Sequence, residues 1–433
     1  MLGETWTRIA RASRRLGWAL ADQSLSSVTN FALGVLVARG VDPRAFGVFG
    51  ILFATYLVVF NVSRALGTDP LIVRYSATSS AAWRRASAMA VGTALVIGTL
   101  AGGLSVAAGL ALGGLLGDGL LILGVSLPGL MVQDAWRLAF FAKGHELGAF
   151  LNDLAWTLAM FLAVGIMLAA DKAALHLYVL SWGGAGSVAA VFGLFQTGVR
   201  PRPSLMRVWL REHRDLVPRF VGEFAVLGGM HHLTTYGLGA IIGLTAVGSL
   251  RGAELLLGPV NVFVTGMRLI AVPEGVRALG ASSSRLWRIS VLFSCAAAGA
   301  AVLWGAVVFL LPPEAGRAIL GSTWNAAHDV LLPLTVSIAG LGVISGASAG
   351  MRSLAAAQRS LRARIVTALM TVAAGIGGGA LAGAFGAATG LAFASCGAAV
   401  YWWRQLSDAV GERHEEEMLD RDMVGSLRSA GRG

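Results

Sequence analysis

The chain has 433 residues, 56% hydrophobic and only 13% charged, with a mean hydropathy of +0.71 and a formal net charge of +11. A soluble domain carries about 25% charged residues, so this composition leaves too little polar surface to cover a water-facing core, and the apolar surplus must face lipid. It also leaves no room for the soluble nucleotide-binding domain of an ATP-driven pump. There is no phosphate-binding loop, zinc spacing or nucleophile elbow, so no cofactor or metal is expected. Cys295 and Cys396 both lie in apolar segments and read as small packed residues.

Residues 1–16 form a cytoplasmic N-terminal segment, amphipathic over 4–15 with Trp6, Ile9 and four arginines. The first apolar stretch contains Asp22, Gln23 and Asn30 and lacks a small-residue cleavage pattern, so it reads as a retained helix and not a signal peptide. A membrane-spanning helix needs about 20 mostly apolar residues. On that rule spans are predicted near 17–39, 45–66, 86–112, 119–141, 150–170 and 175–197. A second set lies near 219–245, 250–272, 289–311, 329–351, 364–384 and 385–403. The last two meet at Gly383-Ala384-Phe385-Gly386, which implies a very tight turn. The tail 404–433, with Glu415-Glu416-Glu417, reads as a solvated or disordered cytoplasmic end.

Lysine and arginine set the direction. With a cytoplasmic N-terminus, 26 of the 34 fall in inside regions, five in outside loops, and Arg64, Arg137 and Arg268 within spans. A missed or extra helix would spoil this alternation. The expected architecture is therefore all-α, about twelve transmembrane helices with both ends in the cytoplasm. The basic face accounts for the +11 charge through anionic membrane lipids, without nucleic acid.

The basic segment 198–218, with Pro201 and Pro203, divides the spans into six-helix lobes at 17–197 and 219–403. Weak echoes link the lobes. Ala45-Phe46-Gly47 answers Ala246-Val247-Gly248; Arg64 before Pro70 answers Arg268 before Pro273; Arg137 with Lys143 answers Arg352 with Arg359. An even number of spans per lobe gives both the same orientation, with a central cavity between them.

Polar residues recur on helical faces. Span 1 carries Gln23, Ser26, Ser27, Asn30 and Gly34; span 8 carries Glu254, Gly258, Asn261, Thr265 and Arg268. Span 7 offers Glu223 and His231 beside His232, and Asp134 and Arg137 are spaced to pair along span 4. A charge at mid-membrane costs about 2.5–3.5 kcal/mol or more, so these groups point to protein or to water. Each has a structural reading as well. The three arginines can snorkel at helix ends, Gln23 and Asn30 can bond neighbouring helices, and the histidines can be satisfied core residues. Glu314, His328 and Asp329 near Trp324 form the one loop group that could suit a membrane enzyme, but Glu314 is distant from the others in sequence.

The run Asp22-Gln23 through Asn30-Phe31 to Ala38-Arg39, then Phe46-Gly47-Val48-Phe49, then Ser63-Arg64-Ala65-Leu66 with Pro70-Leu71, resembles the polysaccharide-biosynthesis transporters. These are the Wzx-type O-antigen flippases of the multidrug/oligosaccharidyl-lipid/polysaccharide exporter superfamily. The resemblance implies a non-enzymatic flippase of the cytoplasmic membrane. It would move an undecaprenyl-diphosphate-linked oligosaccharide by alternating access for lipopolysaccharide or other surface polysaccharide, alongside glycosyltransferases and a polysaccharide polymerase. It places Arg64, Arg137 and Arg268, with Gln23, Asn30 and Asn261, against the diphosphate and sugars. Glu223, Asp22, Glu254 and His231 are candidates for H+ or Na+ coupling. A cation-coupled drug or small-molecule antiporter of the same fold is the first alternative, and a non-transporting membrane enzyme or scaffold ranks behind it.

Overall fold

The computed structural model describes residues 2–76 and 78–430; the side chains of 2–13, 16, 227, 265, 268, 269 and 414–430 lie outside the description. The described residues are helical throughout, with no strand among them. Helix α1 is Leu2–Gly40 and α2 is Pro43–Ser63, continued by a π turn, Arg64–Thr68, into α3, Asp69–Tyr75. Then come α4 Ser80–Leu112, α5 Gly114–Lys143, α6 Glu146–Ala169 and α7 Leu175–Thr197. Short helices α8 Met206–Glu212 and α9 Val217–Phe224 follow, and a second π turn leads to α10 Met230–Ile241. The rest is α11 Leu244–Leu256, α12 Gly258–Ala281, α13 Ser283–Phe309, α14 Pro313–Leu320, α15 Trp324–Ser353 and α16 Ala357–Ala430.

Local chemistry sets these boundaries. Asp42 caps α2, its Oδ1 accepting the Ala45 N–H at 2.9 Å, and Pro43 follows where no helical donor is needed. Ser79 caps α4 and Ser282 caps α13 in the same way. Gly113 and Gly114 carry positive φ and reverse the chain between α4 and α5, a conformation open to glycine. The tight turn expected near residue 383 lies at Ala382-Gly383, where α16 breaks, with Gly383 at φ +60°. The segment from 404, expected as solvated or disordered, continues α16 instead.

Eight helical stretches of the described residues are long and apolar enough to cross a membrane: Pro43–Tyr75, Ser80–Leu112, Gly114–Lys143, Glu146–Ala169, Leu175–Thr197, Ser283–Phe309, Pro313–Ser353 and Ala357–Arg413. The chain is a multi-pass membrane protein. The last stretch holds both expected spans 11 and 12 with the Gly383 break between them. Expected spans 1, 7 and 8 fall on helices outside this set. Span 1 carries Asp22, Gln23 and Asn30, while the chain of spans 7 and 8 is interrupted at the π turn, Gly243 and Leu257.

The chain divides into two compact units. One runs to Gly239 and includes Arg317–Thr323; the other holds Ala240–Gly316 and the residues from Trp324 on. Glycine sets the closest helix contacts in each. In the first, Gly102 faces the Gly124 carbonyl, and Gly117 faces that of Gly109, so α4 and α5 touch backbone to backbone. In the second, Gly342 and Gly346 of α15 meet the backbone of α13 at Ala298 and Ser290. In lipid such association rests on close packing, which small residues permit. Indole donors add cross-helix bonds: Trp83 to the Ala139 carbonyl at 2.9 Å, Trp136 to Ala190 at 3.1 Å and Trp156 to Trp182 at 3.0 Å.

The basic segment after α7 is folded onto the first unit. Arg202 N–H donates to the Ala88 carbonyl at 2.8 Å, and Arg84 donates to the Gly198 carbonyl at 2.9 Å. Arg74 at the end of α3 makes paired bonds to Asp215 at 2.7 and 2.9 Å. The Asp215 carboxyl is held below the usual carboxylate range: desolvation pushes it up, while a backbone N–H and the Arg74 guanidinium pull it down by more.

Two outcomes follow. Gly102→Val or Gly124→Val lowers stability by about 1–3 kcal/mol through overpacking, seen in thermal unfolding in lipid nanodiscs, while Gly103→Val, which meets open space, does not. Because the folded Asp215 pKa is depressed, its contribution is present above the ordinary carboxylate range and is lost as pH falls through the folded value. Amide exchange over 206–216, corrected for intrinsic pH effects, therefore rises on acidification, and the rise is absent in Asp215→Asn.

Candidate functional site

Polar residues from α1, α5, α6, α7 and the end of α2 meet inside the first unit. On α1, at about 100° per residue, Asp22, Thr29 and Leu33 fall on one buried face, while Gln23, Ser27 and Asn30 form an adjoining strip. Gln23 and Asn30 are exposed. Asp22 is 0% exposed. On α5, Gln133, Asp134 and Arg137 share one face; on α6, Asn152, Asp153 and Thr157 do.

Helix α2 delivers Arg64 along a ladder of rings. Phe46, Phe49, Phe53, Tyr56 and Phe60 recur at alternating steps of three and four, with successive centroids 6.1, 6.1, 5.9 and 5.4 Å apart. The Arg64 guanidinium lies 4.0 Å from the Phe60 centroid, a cation–π contact. Arg64 opens the π turn, in which Asp69 N–H bonds the Arg64 carbonyl, five residues back. Such turns are frequent at functional sites.

The ion pairs are cross-helical. Arg64 Nε and Nη2 donate to Asp134 Oδ2 and Oδ1 at 2.8 and 2.6 Å, a two-pronged pair. Arg137 Nε and Nη2 donate to Asp22 Oδ2 at 2.8 and 2.5 Å, and Nε lies 3.3 Å from Asp153 Oδ2. The expected pairing of Asp134 with Arg137 along α5 is thus replaced by two pairings across helices. The neighbouring helices offer in-plane geometry to the guanidinium forks that a one-turn contact does not.

Amides complete the network. Gln133 Nε2 donates to Asp153 Oδ1 at 2.7 Å; Asn152 Nδ2 donates to Gln196 Oε1 at 2.8 Å and to the Ala189 carbonyl at 3.0 Å. Thr29 and Thr157 are 3.0 Å apart across α1 and α6. The Gln23 Oε1 accepts from Arg137 Nη2 at 3.5 Å, which ties the exposed strip to the buried pairs.

The charges do not balance. Arg64 and Arg137 face Asp22, Asp134 and Asp153, so full ionisation leaves one negative charge in excess. Asp22 Oδ1 is buried and has no hydrogen-bond partner. A buried unpaired ion costs several kcal/mol, so the arrangement favours one more positive charge, and a proton on a carboxylate supplies it. Among the described residues no three His, Cys, Asp or Glu side chains are grouped to hold a metal ion.

Glu223 is exposed on α9 and in electrostatic reach of Asp69. Glu254 lies 3.5 Å from Arg251 on α11, and Asn261 is exposed on α12. His231 is exposed on α10, its ring 5.5 Å from that of His232. The Arg268 side chain lies outside the described residues. His328 Nε2 bonds the Phe309 carbonyl at 3.1 Å, a structural contact. Gln133, Asn152, Asp153, Thr157 and Gln196 were not expected. An acidic residue inside an apolar run was the available signal; at the start of span 5, Asp153 looks like an end-of-helix residue.

No protein-family model matches the chain, and no curated protein matches it in sequence. Among solved structures it is similar to a multidrug resistance MATE family transporter of the MOP superfamily in an inward-facing conformation. The TM-score is 0.66 at 14% identity, over 92% of this chain and 99% of that one. It is similar to the lipid II flippase MurJ in an inward closed conformation, with TM-score 0.66 at 11% identity, over 91% and 90%. A MOP superfamily transporter from Pyrococcus furiosus Vc1 (DSM3638) matches at 0.52 and 15%, over 93% and 95%. The chain thus has the fold of these transporters.

Removing one partner from a buried pair leaves an uncompensated charge and costs about 3–5 kcal/mol. Arg137→Gln, which strands Asp22 and Asp153, therefore destabilises the protein by about that amount. Adding Asp22→Asn to it recovers part of the loss, measured by thermal unfolding in nanodiscs.

Proposed function

We propose that the protein is a flippase that moves a lipid-linked oligosaccharide, carried on undecaprenyl diphosphate, across the bacterial cytoplasmic membrane by alternating access. Twelve spans with cytoplasmic termini accompany this reading. The observation that carries it is the buried Arg64–Asp134 and Arg137–Asp22 pairing, tied through Gln23 to the exposed polar strip of α1. Moving a diphosphate through about 30 Å of hydrocarbon requires groups that replace its water. A guanidinium fork suits phosphate oxygens as well as it suits a carboxylate.

The mechanism is an exchange of partners. In the resting state Asp134 and Asp22 hold the two arginines. An arriving diphosphate diester, which carries two negative charges, takes both guanidiniums, and two protons on the released carboxylates keep the interior neutral. Departure of the diphosphate reverses the exchange. Gln23 and Asn30 meet the sugar hydroxyls, and the lipid tail stays in the bilayer. Asp22, with one oxygen unpartnered, is the coupling carboxylate.

The excess of carboxylates also favours a second reading, proton-coupled antiport of an organic cation, which the likeness to the MATE transporter supports equally. One preparation separates the two. In proteoliposomes carrying undecaprenyl-diphosphate oligosaccharide, the flippase exposes the sugar to a membrane-impermeant oxidant. The double variant Arg64→Gln/Asp134→Asn, which removes both charges together, slows this by at least about tenfold, a rise of about 1.4 kcal/mol in the barrier. Flipping at the wild-type rate in that variant removes the diphosphate role. Uptake of a fluorescent cation against a pH gradient, without sugar exposure, establishes the antiporter.

A further inference from the structure

The π turn that presents Arg64 has an open valence. In an α-helix the carbonyl of Leu66 accepts from the N–H of residue 70, and residue 70 is proline. Pro70 has no N–H, and its ring crowds the carbonyl four residues back. The chain relaxes by widening into the π turn over Arg64–Thr68. A buried carbonyl without a partner costs about 1–3 kcal/mol, and an outside donor removes that cost.

The donor comes from the segment after α7. Trp209 of α8 is 0% exposed, and its indole Nε1–H donates to the Leu66 carbonyl at 3.0 Å. Two rings that also touch each other pack against it. The Tyr75 ring at the end of α3 is stacked 5.9 Å away, and the His213 ring lies at 4.0 Å. Around it, Arg74 grips Asp215 and the Glu212 carbonyl, the latter at 2.8 Å. The second unit has a related indole-to-carbonyl contact without a π turn. At the α11–α12 break the Val260 N–H bonds the Leu257 carbonyl, and Trp304 Nε1–H meets the displaced Leu256 carbonyl at 2.8 Å.

We infer that Trp209 is a positioning residue for Arg64: its indole N–H completes the Pro70-interrupted π turn and thereby sets the angle at which Arg64 meets Asp134. The segment carrying α8 is then a working part of the ion-pair site, with 143 residues of chain between donor and acceptor. The functional consequence rests on the proposed role of Arg64 in transport; the structural one does not.

Trp209→Phe tests both, since it keeps an aromatic ring against Tyr75 and His213 and removes the donor with part of the indole's bulk; the Pro70→Ala background separates the two. In nanodiscs, amide exchange over residues 65–71 rises about tenfold, while that over 152–157 of α6 is unchanged. Pro70→Ala returns an N–H to position 70, and in that background the effect of Trp209→Phe on exchange disappears. Unchanged exchange over 65–71, or an undiminished effect beside Pro70→Ala, overturns the inference. In the undecaprenyl-diphosphate oligosaccharide assay, Trp209→Phe slows flipping about tenfold alone and adds nothing in an Arg64→Lys background. Losses that multiply mean Trp209 acts elsewhere and sink the positioning role. A wild-type chain that flips no such lipid refutes the flippase reading, and exchange then decides the inference alone.

Discussion

Two guanidiniums are half-buried among apolar helices against buried carboxylates, and the first unit is organised around keeping them paired. A guanidinium in hydrocarbon is tolerated only where acceptors lie in its plane. Arg64 has one carboxylate across both prongs; Arg137 has Asp22 and Asp153. Each acceptor needs a helix of its own, so α1, α5 and α6 must converge. The amide chain of Gln133, Asn152 and Gln196 reaches α7 because the leftover lone pairs and N–H groups need partners as well.

The rest of the unit serves this convergence. Glycine contacts bring α4 and α5 together closely enough to fix the axis of α5, which carries Asp134 and Arg137. The ring ladder of α2 stiffens the approach to Arg64 from one side, and the folded segment carrying Trp209 supports the π turn from the other. Early in α1 Arg15, counted among the expected cytoplasmic basic residues, bonds Glu146 at the start of α6 at 2.7 Å, and so ties α1 to the helix it must meet.

Helical class and segment positions were legible in the chain because apolar runs and charge clusters are local signals. So was the polar strip of α1, since a 3.6-residue period can be read without a structure; the buried face beside it was not. Asp22, Arg64, Asp134 and Arg137 stood out as charges in apolar surroundings. Their pairing did not, because the choice among Arg64, Arg137 and three aspartates depends on which helices lie side by side. The expectation for Asp134 followed the one neighbour sequence can supply, three residues away. Asn152 and Asp153 escaped for the converse reason: at the start of an apolar run, a polar pair resembles a helix end at the water boundary. The segment 198–218 read as a linker from its prolines and arginines, and composition alone gives no hint that Trp209 is buried against Leu66.

That last contact bears on how the molecule is made. The Leu66 carbonyl is synthesised 143 residues before the indole that satisfies it. At about 5–20 residues per second, the α2–α3 region waits on the order of ten seconds at the ribosome and in the bilayer with a gap in its helical bonding. During that interval four more long helices emerge, among them α5, which carries Asp134 and Arg137, and α6, which carries Asp153. The bend at Pro70 thus stays adjustable while its neighbours arrive, and α8 closes it afterwards. The order of translation makes the presentation of Arg64 one of the last steps of assembly in the first unit.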